Sequence, residues 1–209
     1  MTEEKKYELT DETIEVNGHI LHRIRALKNF GDVKAGNLGG FIEHEGNLSH
    51  EGHCWVYNRA KVYGCATVFN HAKIYGGATV YGYATICDCA VVCHYAAVYD
   101  FAKIYGYAKI YNHAEVYGCT KVCGCATVYT GAKVYGNTTI SDCAEVYGHT
   151  KVYGHTKVFD HAKVFGYAKV HDYTKVYGCA KIYGDTEIHG HAEIGGSAEI
   201  HGHATVYEP

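Results

Sequence analysis

Residues 60–83 read AKVYGC ATVFNH AKIYGG ATVYGY, four copies of one six-residue unit. Val or Ile occupies every sixth position from Val56 to Val206, in 26 consecutive copies. From Ala60 to Ala204, the residue two places before each of these is always Ala or Thr. Unbroken repetition at a short fixed period is the signature of a solenoid, in which each repeat packs against its neighbours. This repeat therefore decides the fold.

Side chains within one unit alternate as they do in a β-strand. Ala60 and Val62 face one way, Lys61 and Tyr63 face the other, and Gly64 begins a corner. Gly, Asn or Asp fills nearly every such corner, because the chain needs a positive φ there. The apolar spacing of three and four that an amphipathic helix needs is absent. Three sides of six residues give a triangular coil of 18 residues, and such coils stack about 4.8 Å apart.

The repeat over residues 54–209 resembles that of the hexapeptide-repeat proteins, whose fold is a left-handed parallel β-helix. Residues 1–53 differ from it. Residues 13–16, the turn Asn17-Gly18 and residues 19–27 are typical of a β-hairpin. We therefore expect an all-β chain with an N-terminal β cap and lead-in over 1–53 and a β-helix of three hexads per coil over 54–209.

The lead-in to the first coil carries a second resemblance. Its segments are Gly39-Gly40-Phe41-Ile42, Asn47-Leu48-Ser49 and Cys54-Trp55-Val56. With these segments, the whole chain resembles the YdcK-like hexapeptide-repeat proteins of bacteria and prophages, a family labelled as transferases. The resemblance implies a bacterial or prophage origin and, as one alternative, transferase chemistry.

Composition restricts the compartment and the partners. The net charge is -3, which gives no overall bias towards nucleic acid or acidic membranes. No apolar run is long enough to span a bilayer, and the charged N-terminus has no signal-peptide pattern. We therefore expect a cytoplasmic protein, no membrane association and ten reduced cysteines. The sequence predicts no cofactor and no metal site.

Aromatic residues at one phase of the 18-residue period predict a binding face. A single column is expected from Tyr63, Tyr81, Tyr99, Tyr117, Tyr135 and Tyr153. Stacked rings would support the coils beneath them, and tyrosine is favoured at protein interfaces. Lys151 and Lys169 lie in the outward slots beside this column, within a basic belt made by every sixth residue from Lys151 to Lys181. We expect these residues to bind a macromolecular partner.

Three functions remain open from the sequence. The favoured one is a rigid, non-catalytic binding or assembly module whose partner is a second copy, in a dimer or trimer, or a host protein. The first alternative is a hexapeptide-type acyltransferase with active sites between the subunits of a trimer. In that class the catalytic His usually lies beside loops that leave the coils, and no residue is inserted between these hexads. The second alternative, a binder of phosphate, nucleotide or nucleic acid through the Tyr and Lys columns, is less favoured.

Two smaller expectations concern a cysteine pair and the last coil. Cys125 and Cys143 occupy one corner of adjacent coils, within reach of a disulfide, and the alternatives of a soft-metal site or two plain corner residues stay open. Ile194, Ile200 and Val206 keep the last coil apolar inside. We expect that end of the helix to pair with another chain.

Overall fold

A computed structural model describes residues 5–209 and confirms the predicted all-β parallel β-helix, with about nine turns. Three long strands open it, β1 (Tyr7–Val16), β2 (His19–Ala26) and β3 (Leu38–Ile42), and a short 3-10 helix follows at Glu45–Asn47. The short strands of the repeat array then follow in chain order: β4 (Trp55–Val56), β5 (Lys61–Val62), β6 (Thr67–Val68), β7 (Lys73–Ile74), β8 (Thr79–Val80), β9 (Thr85–Ile86), β10 (Val91–Val92), β11 (Ala97–Val98), β12 (Lys103–Ile104), β13 (Lys109–Tyr111), β14 (Glu115–Val116), β15 (Lys121–Val122), β16 (Thr127–Tyr129), β17 (Lys133–Val134), β18 (Thr139–Ile140), β19 (Glu145–Tyr147), β20 (Lys151–Val152), β21 (Lys157–Val158), β22 (Lys163–Val164), β23 (Lys169–Val170), β24 (Lys175–Val176), β25 (Lys181–Ile182), β26 (Glu187–Gly190), β27 (Glu193–Ile194), β28 (Glu199–Ile200) and β29 (Thr205–Glu208).

Each coil contributes one strand to each of three sheets. Sheet A has the order β1-β2-β3-β5-β8-β11-β14-β17-β20-β23-β26-β29, sheet B runs from β6 to β27 in steps of three strands, and sheet C runs likewise from β4 to β28. Neighbouring strands pair in parallel with partners 18 residues apart, as Val62 does with Val80. The 18-residue coil predicted from the repeat is therefore confirmed.

The core is a column of Val and Ile on the inner side of each sheet, packed against the small residues of the repeat. Side chains from Val56 to Ile188 in these slots are at most 1% exposed, whereas Ile194, Ile200 and Val206 in the last coil are only partly buried. Where Thr replaces Ala inside, its hydroxyl needs a hydrogen-bond partner. Thr156 Oγ1 donates to the Tyr153 carbonyl at 2.6 Å, for example.

The corners need positive φ, as the repeat predicts. Gly184 has φ +80°, and a Cβ there would lie 2.8 Å from the Gly202 carbonyl oxygen of the next coil. Asn and Asp fill other corners at φ between 51° and 62°, as at Asn58 and Asp172. Most corners are closed by a bond to the following coil. Tyr83 N–H, for example, donates to the Asp100 carbonyl at 2.7 Å.

One corner breaks this rule over four consecutive coils. Between sheets C and A, both corner residues have positive φ in the pairs Gly76-Gly77, His94-Tyr95, Asn112-His113 and Thr130-Gly131. Here the bonds run to the preceding coil instead: Tyr95 N–H to Gly76 O at 3.0 Å, His113 N–H to His94 O at 3.0 Å, and Gly131 N–H to Asn112 O at 2.9 Å. The corner peptides of these coils, the reversed run, are therefore flipped relative to those above and below.

The N-terminal segment extends sheet A. Its hairpin is confirmed, with Asn17 and Gly18 both at positive φ as a tight two-residue turn requires. Parallel pairing begins with Ile42 against Val62 and a bridge from Leu48 to Val68, within the segment expected as cap and lead-in.

A buried lysine fastens the N-terminal segment to the first coil. Lys6 is 1% exposed, and its ammonium donates to the carbonyl and the sulfur of Cys54 at 3.0 and 3.2 Å. It also lies 5.0 Å from the centre of the Phe30 ring. Burial lowers the pKa of Lys6, and the nearby Cys54 opposes that shift.

Candidate functional site

The predicted tyrosine column exists as a continuous stack on the outer face of sheet A. From Tyr63 to Tyr153, successive ring centroids lie 4.7–5.1 Å apart and the planes differ by 1–8°. His171, His189 and Tyr207 continue the stack at 4.7, 5.2 and 4.8 Å. Strand alternation points these rings outward and parallel pairing places them one coil apart. We call this column the sheet A ladder.

The ladder presents ring edges to solvent. Because each ring is stacked on its neighbours, its faces are covered, and the outward phenol groups form a row with the spacing of the coils. Burial raises the pKa of Tyr81, Tyr117, Tyr135 and Tyr153. These phenols therefore stay protonated at neutral pH and can donate as well as accept hydrogen bonds.

Tyr63 is more deeply buried than the other ladder residues, because the hairpin covers it. It is 4% exposed, Asn17 Nδ2 donates to its hydroxyl at 3.2 Å, and the His19 ring centroid lies 5.1 Å away. Leu21 and Phe41 bury it from the sides. The accessible part of the ladder therefore begins above it, and the sequence could not indicate this because hairpin docking is a long-range contact.

The two predicted lysines are neighbours beside the ladder. Lys151 and Lys169 are exposed and pair in register in β20 and β23. Within residues 5–209 neither forms an ion pair. Other outward lysines are neutralised: Lys133 by Glu115 at 2.9 Å, Lys163 by Glu145 at 2.8 Å, Lys175 by Glu193 at 2.6 Å and Lys181 by Glu199 at 2.7 Å. The basic belt is thus weaker than its lysine count indicates.

Sheet C carries the second aromatic column. Successive rings of this column lie 4.7–4.9 Å apart and belong to Tyr111, Tyr129, Tyr147, Phe165 and Tyr183. Below it, Cys93 interrupts the column and its sulfur lies 3.1 Å from His94 Nδ1. A hydrogen bond with Cys93 raises the pKa of Tyr75 to about 12.

Aromatic residues at the corner between sheets A and B widen the candidate face. Tyr83 and Phe101 stack at 5.0 Å and are 59% and 56% exposed. Higher up, Tyr173 stacks on His155 and His191 at 4.8 and 4.9 Å. Both sets repeat at 18-residue spacing, which is the signal that could have found them. They lie beside the ladder, because the corner between sheets A and B follows each ladder residue by two positions.

Cys125 and Cys143 are exposed free thiols on adjacent coils. In the described part of the chain, no group of three or more His, Cys, Asp or Glu side chains is placed to hold a metal ion. Residues 5–209 also contain no helix of the length and apolarity needed to cross a bilayer.

Comparison with known proteins gives one short likeness. No protein-family model matches the chain. A segment of 43 residues is 42% identical to a protein named "Uncharacterized acetyltransferase YdcK" from Escherichia coli strain K12. The match covers 21% of this chain and 13% of that protein. This likeness and the β-solenoid fit a hexapeptide-repeat family, over a small part of the chain.

Proposed function

We propose that the chain is a rigid, non-catalytic binding and assembly module that pairs with a second copy through the outer face of sheet A. The observation that carries this proposal is the row of phenol groups at one coil spacing. A partner that matches such a row along its length needs the same rise, and a second copy has it. A bacterial or prophage origin and a cytoplasmic location belong to the same proposal.

The size of the face sets the expected affinity. From Tyr81 to Tyr207 it spans seven coil steps, or about 34 Å, and four residues across make it about 13 Å wide. Two such faces together cover about 900 Å², near the lower limit of about 1,000 Å² for a specific interface. We therefore expect reversible association that depends on concentration, with a host protein as the competing partner.

A pair of lysine substitutions tests the face. Ala97 occupies an outward slot of sheet A beside Tyr99, and Val91 occupies the equivalent slot of sheet C; both are half-buried. Lysine fills this slot in many other coils, so both variants should fold. We expect Ala97→Lys to weaken self-association in sedimentation velocity and Val91→Lys to leave it unchanged. A wild-type monomer at micromolar concentration, or the reverse order of effects, would refute the proposal.

The second candidate is an acetyltransferase with sites between subunits. The 43-residue likeness to a protein named as an acetyltransferase favours it. Calorimetry with acetyl-coenzyme A discriminates the two, because an enzyme of this kind must bind it saturably. Saturable binding by the oligomer, lost in the Ala97→Lys variant, would support the enzyme over the scaffold.

The third candidate, a binder of nucleotide or phosphate, is favoured only by the two unpaired lysines of the face. Nucleobases stack on open ring faces, and here those faces are covered except at ladder ends. Salt-sensitive binding of an oligonucleotide that is lost on replacing Lys151 and Lys169 by Gln would revive this candidate.

A further inference from the structure

The lower edge of the reversed run leaves two backbone donors without acceptors. Gly76 O accepts from Tyr95 N–H in the coil above, and a planar trans peptide directs Gly77 N–H the opposite way, towards the coil of Arg59. Arg59 N–H occupies the position from which Tyr167 and Asp185 donate to the coil above them, at 3.1 and 2.8 Å. The N–H groups of Arg59 and Gly77 therefore point into one gap. Neither has an acceptor within residues 5–209.

This gap opens into a cavity. Its volume is about 320 Å³, and its lining consists of Asn58, Arg59, Gly76, Gly77, His94 and Tyr95. None of the six is acidic, and in the described chain the Arg59 guanidinium forms no ion pair. A second cavity that shares Asn58 with it holds Asp32, whose carboxylate is already bound by Lys73 at 3.0 Å and Tyr57 at 2.8 Å.

The cavity walls are held by unusual backbone conformations. His94 and Tyr95 both have positive φ, 50° and 61°, which is costly for residues with a Cβ and clusters at functional sites in proteins. A Cβ at residue 77 would lie 2.8 Å from Tyr95 Cε1, so a side chain there would have to displace the exposed Tyr95 ring. His94 Nδ1 is engaged by Cys93 Sγ at 3.1 Å, so Nε2 is the ring nitrogen that remains for a ligand.

We propose that this niche, lined by Arg59, Gly77 and His94, binds a small oxyanion such as a carboxylate or a phosphate group. Backbone N–H groups that converge on one point form anion-binding sites, and a guanidinium presents a planar fork that matches both kinds of oxyanion. Backbone N–H groups without any partner are rare in proteins, so a ligand or water meets the N–H groups of exposed Arg59 and half-buried Gly77. An anion satisfies both donors and neutralises Arg59.

The test is a titration of the uniformly ¹⁵N-labelled full chain, followed by amide shifts in NMR spectra. The probes are inorganic phosphate and acetate, each at ionic strength held constant with sodium chloride. We expect saturable shifts at the amides of Arg59 and Gly77 and much smaller shifts at Tyr167, whose N–H is already bonded. Saturation by phosphate alone, acetate alone or both identifies which oxyanion the niche accepts, and each result supports the site.

Two variants separate the niche from general surface charge. Arg59→Gln should weaken binding at least about tenfold, because it removes a charge-assisted hydrogen bond. Lys121→Gln, which removes an exposed lysine from sheet B, should leave it unchanged. The proposal is overturned if neither probe saturates at Arg59 and Gly77, or if Lys121→Gln weakens binding as much as Arg59→Gln does.

Discussion

Two threonines at the same position of the hexad, in different coils, should differ in how their replacement by valine changes the stability of the fold. Thr156 and Thr186 are both at most 1% exposed. Thr156 Oγ1 donates to Tyr153 O at 2.6 Å, whereas Thr186 Oγ1 is buried with no hydrogen-bond partner in the described chain. Valine keeps the shape of threonine and replaces the hydroxyl by a methyl group, so it isolates the polar contribution.

The magnitudes follow from what each hydroxyl does. Thr156→Val leaves the part-buried Tyr153 carbonyl without this hydrogen bond and should lower the free energy of unfolding by about 1–3 kcal/mol. Thr186→Val removes an unsatisfied hydroxyl, so it should leave stability unchanged or raise it by a comparable amount. For a domain of this size, 1 kcal/mol shifts Tm by roughly 2–4 °C. The Tm values of the two variants should therefore differ by at least about 2 °C.

The assay is thermal and urea unfolding followed by far-ultraviolet circular dichroism. Thr120→Val serves as a replicate of the bonded case, since Thr120 Oγ1 donates to Tyr117 O at 2.7 Å. The reasoning is refuted if Thr186→Val destabilises the chain as much as Thr156→Val does. It is also refuted if Thr120→Val and Thr156→Val are both neutral.

Two further predictions concern a corner and the hairpin. Gly184 and Gly202 have φ of +80° and +79° in successive coils, but a Cβ at residue 184 would lie 2.8 Å from Gly202 O, whereas a Cβ at residue 202 would have no atom within 4 Å. Gly184→Ala should therefore lower Tm more than Gly202→Ala. Equal losses of Tm would contradict a clash between coils. Glu43 has its pKa lowered from 4.5, first by the hydrogen bond with His19 (2.8 Å), so its contribution to stability is present above 4.5 and is lost as pH falls through the lowered value. Melting from pH 3 to 6 should show this acid loss in the wild type but not in Glu43→Gln, and identical profiles would remove the contribution assigned to this pair.

The repeat predicts the array because its physics is local. Val or Ile at every sixth position forms a continuous buried column when the coils stack in register. The pairing of Val62 with Val80 therefore follows from the period alone. The same phase argument predicts the sheet A ladder, since Tyr81 and Tyr99 are one coil apart. Asn17-Gly18 likewise predicts its turn from two residues.

Other parts of the candidate site depend on contacts far apart in the chain. Tyr63 occupies the same position of the hexad as the rest of the ladder, yet the hairpin buries it, and hairpin docking leaves no periodic trace. The reversed run leaves only a faint trace in the sequence, since Asn112-His113 keeps a residue type that the corner rule specifies. Gly76-Gly77 has two glycines in one corner, and His94 and Thr130 are the two first-corner positions from 58 to 202 that hold none of Gly, Asn and Asp.

At each end of the reversed run, corner peptides of opposite orientation meet in adjacent coils. We call each of these two junctions a wall. At the lower wall two donors, Arg59 and Gly77 N–H, face each other. At the upper wall the Thr130 and Gly148 carbonyls lack backbone donors within the described chain. Flipping the outermost peptide breaks one bond and makes another, so it moves a wall by one coil without creating a new one.

A flip of a corner peptide in the middle of the run would instead create two more walls. The two existing walls can therefore disappear only if successive flips bring them to the same place. Their present positions coincide with glycines, since Gly77 and Gly131 occupy the second corner position at the two ends of the run. The β-helix thus carries two opposite defects in its corner hydrogen bonds. We expect substitutions of single corner residues to shift either defect along the helix.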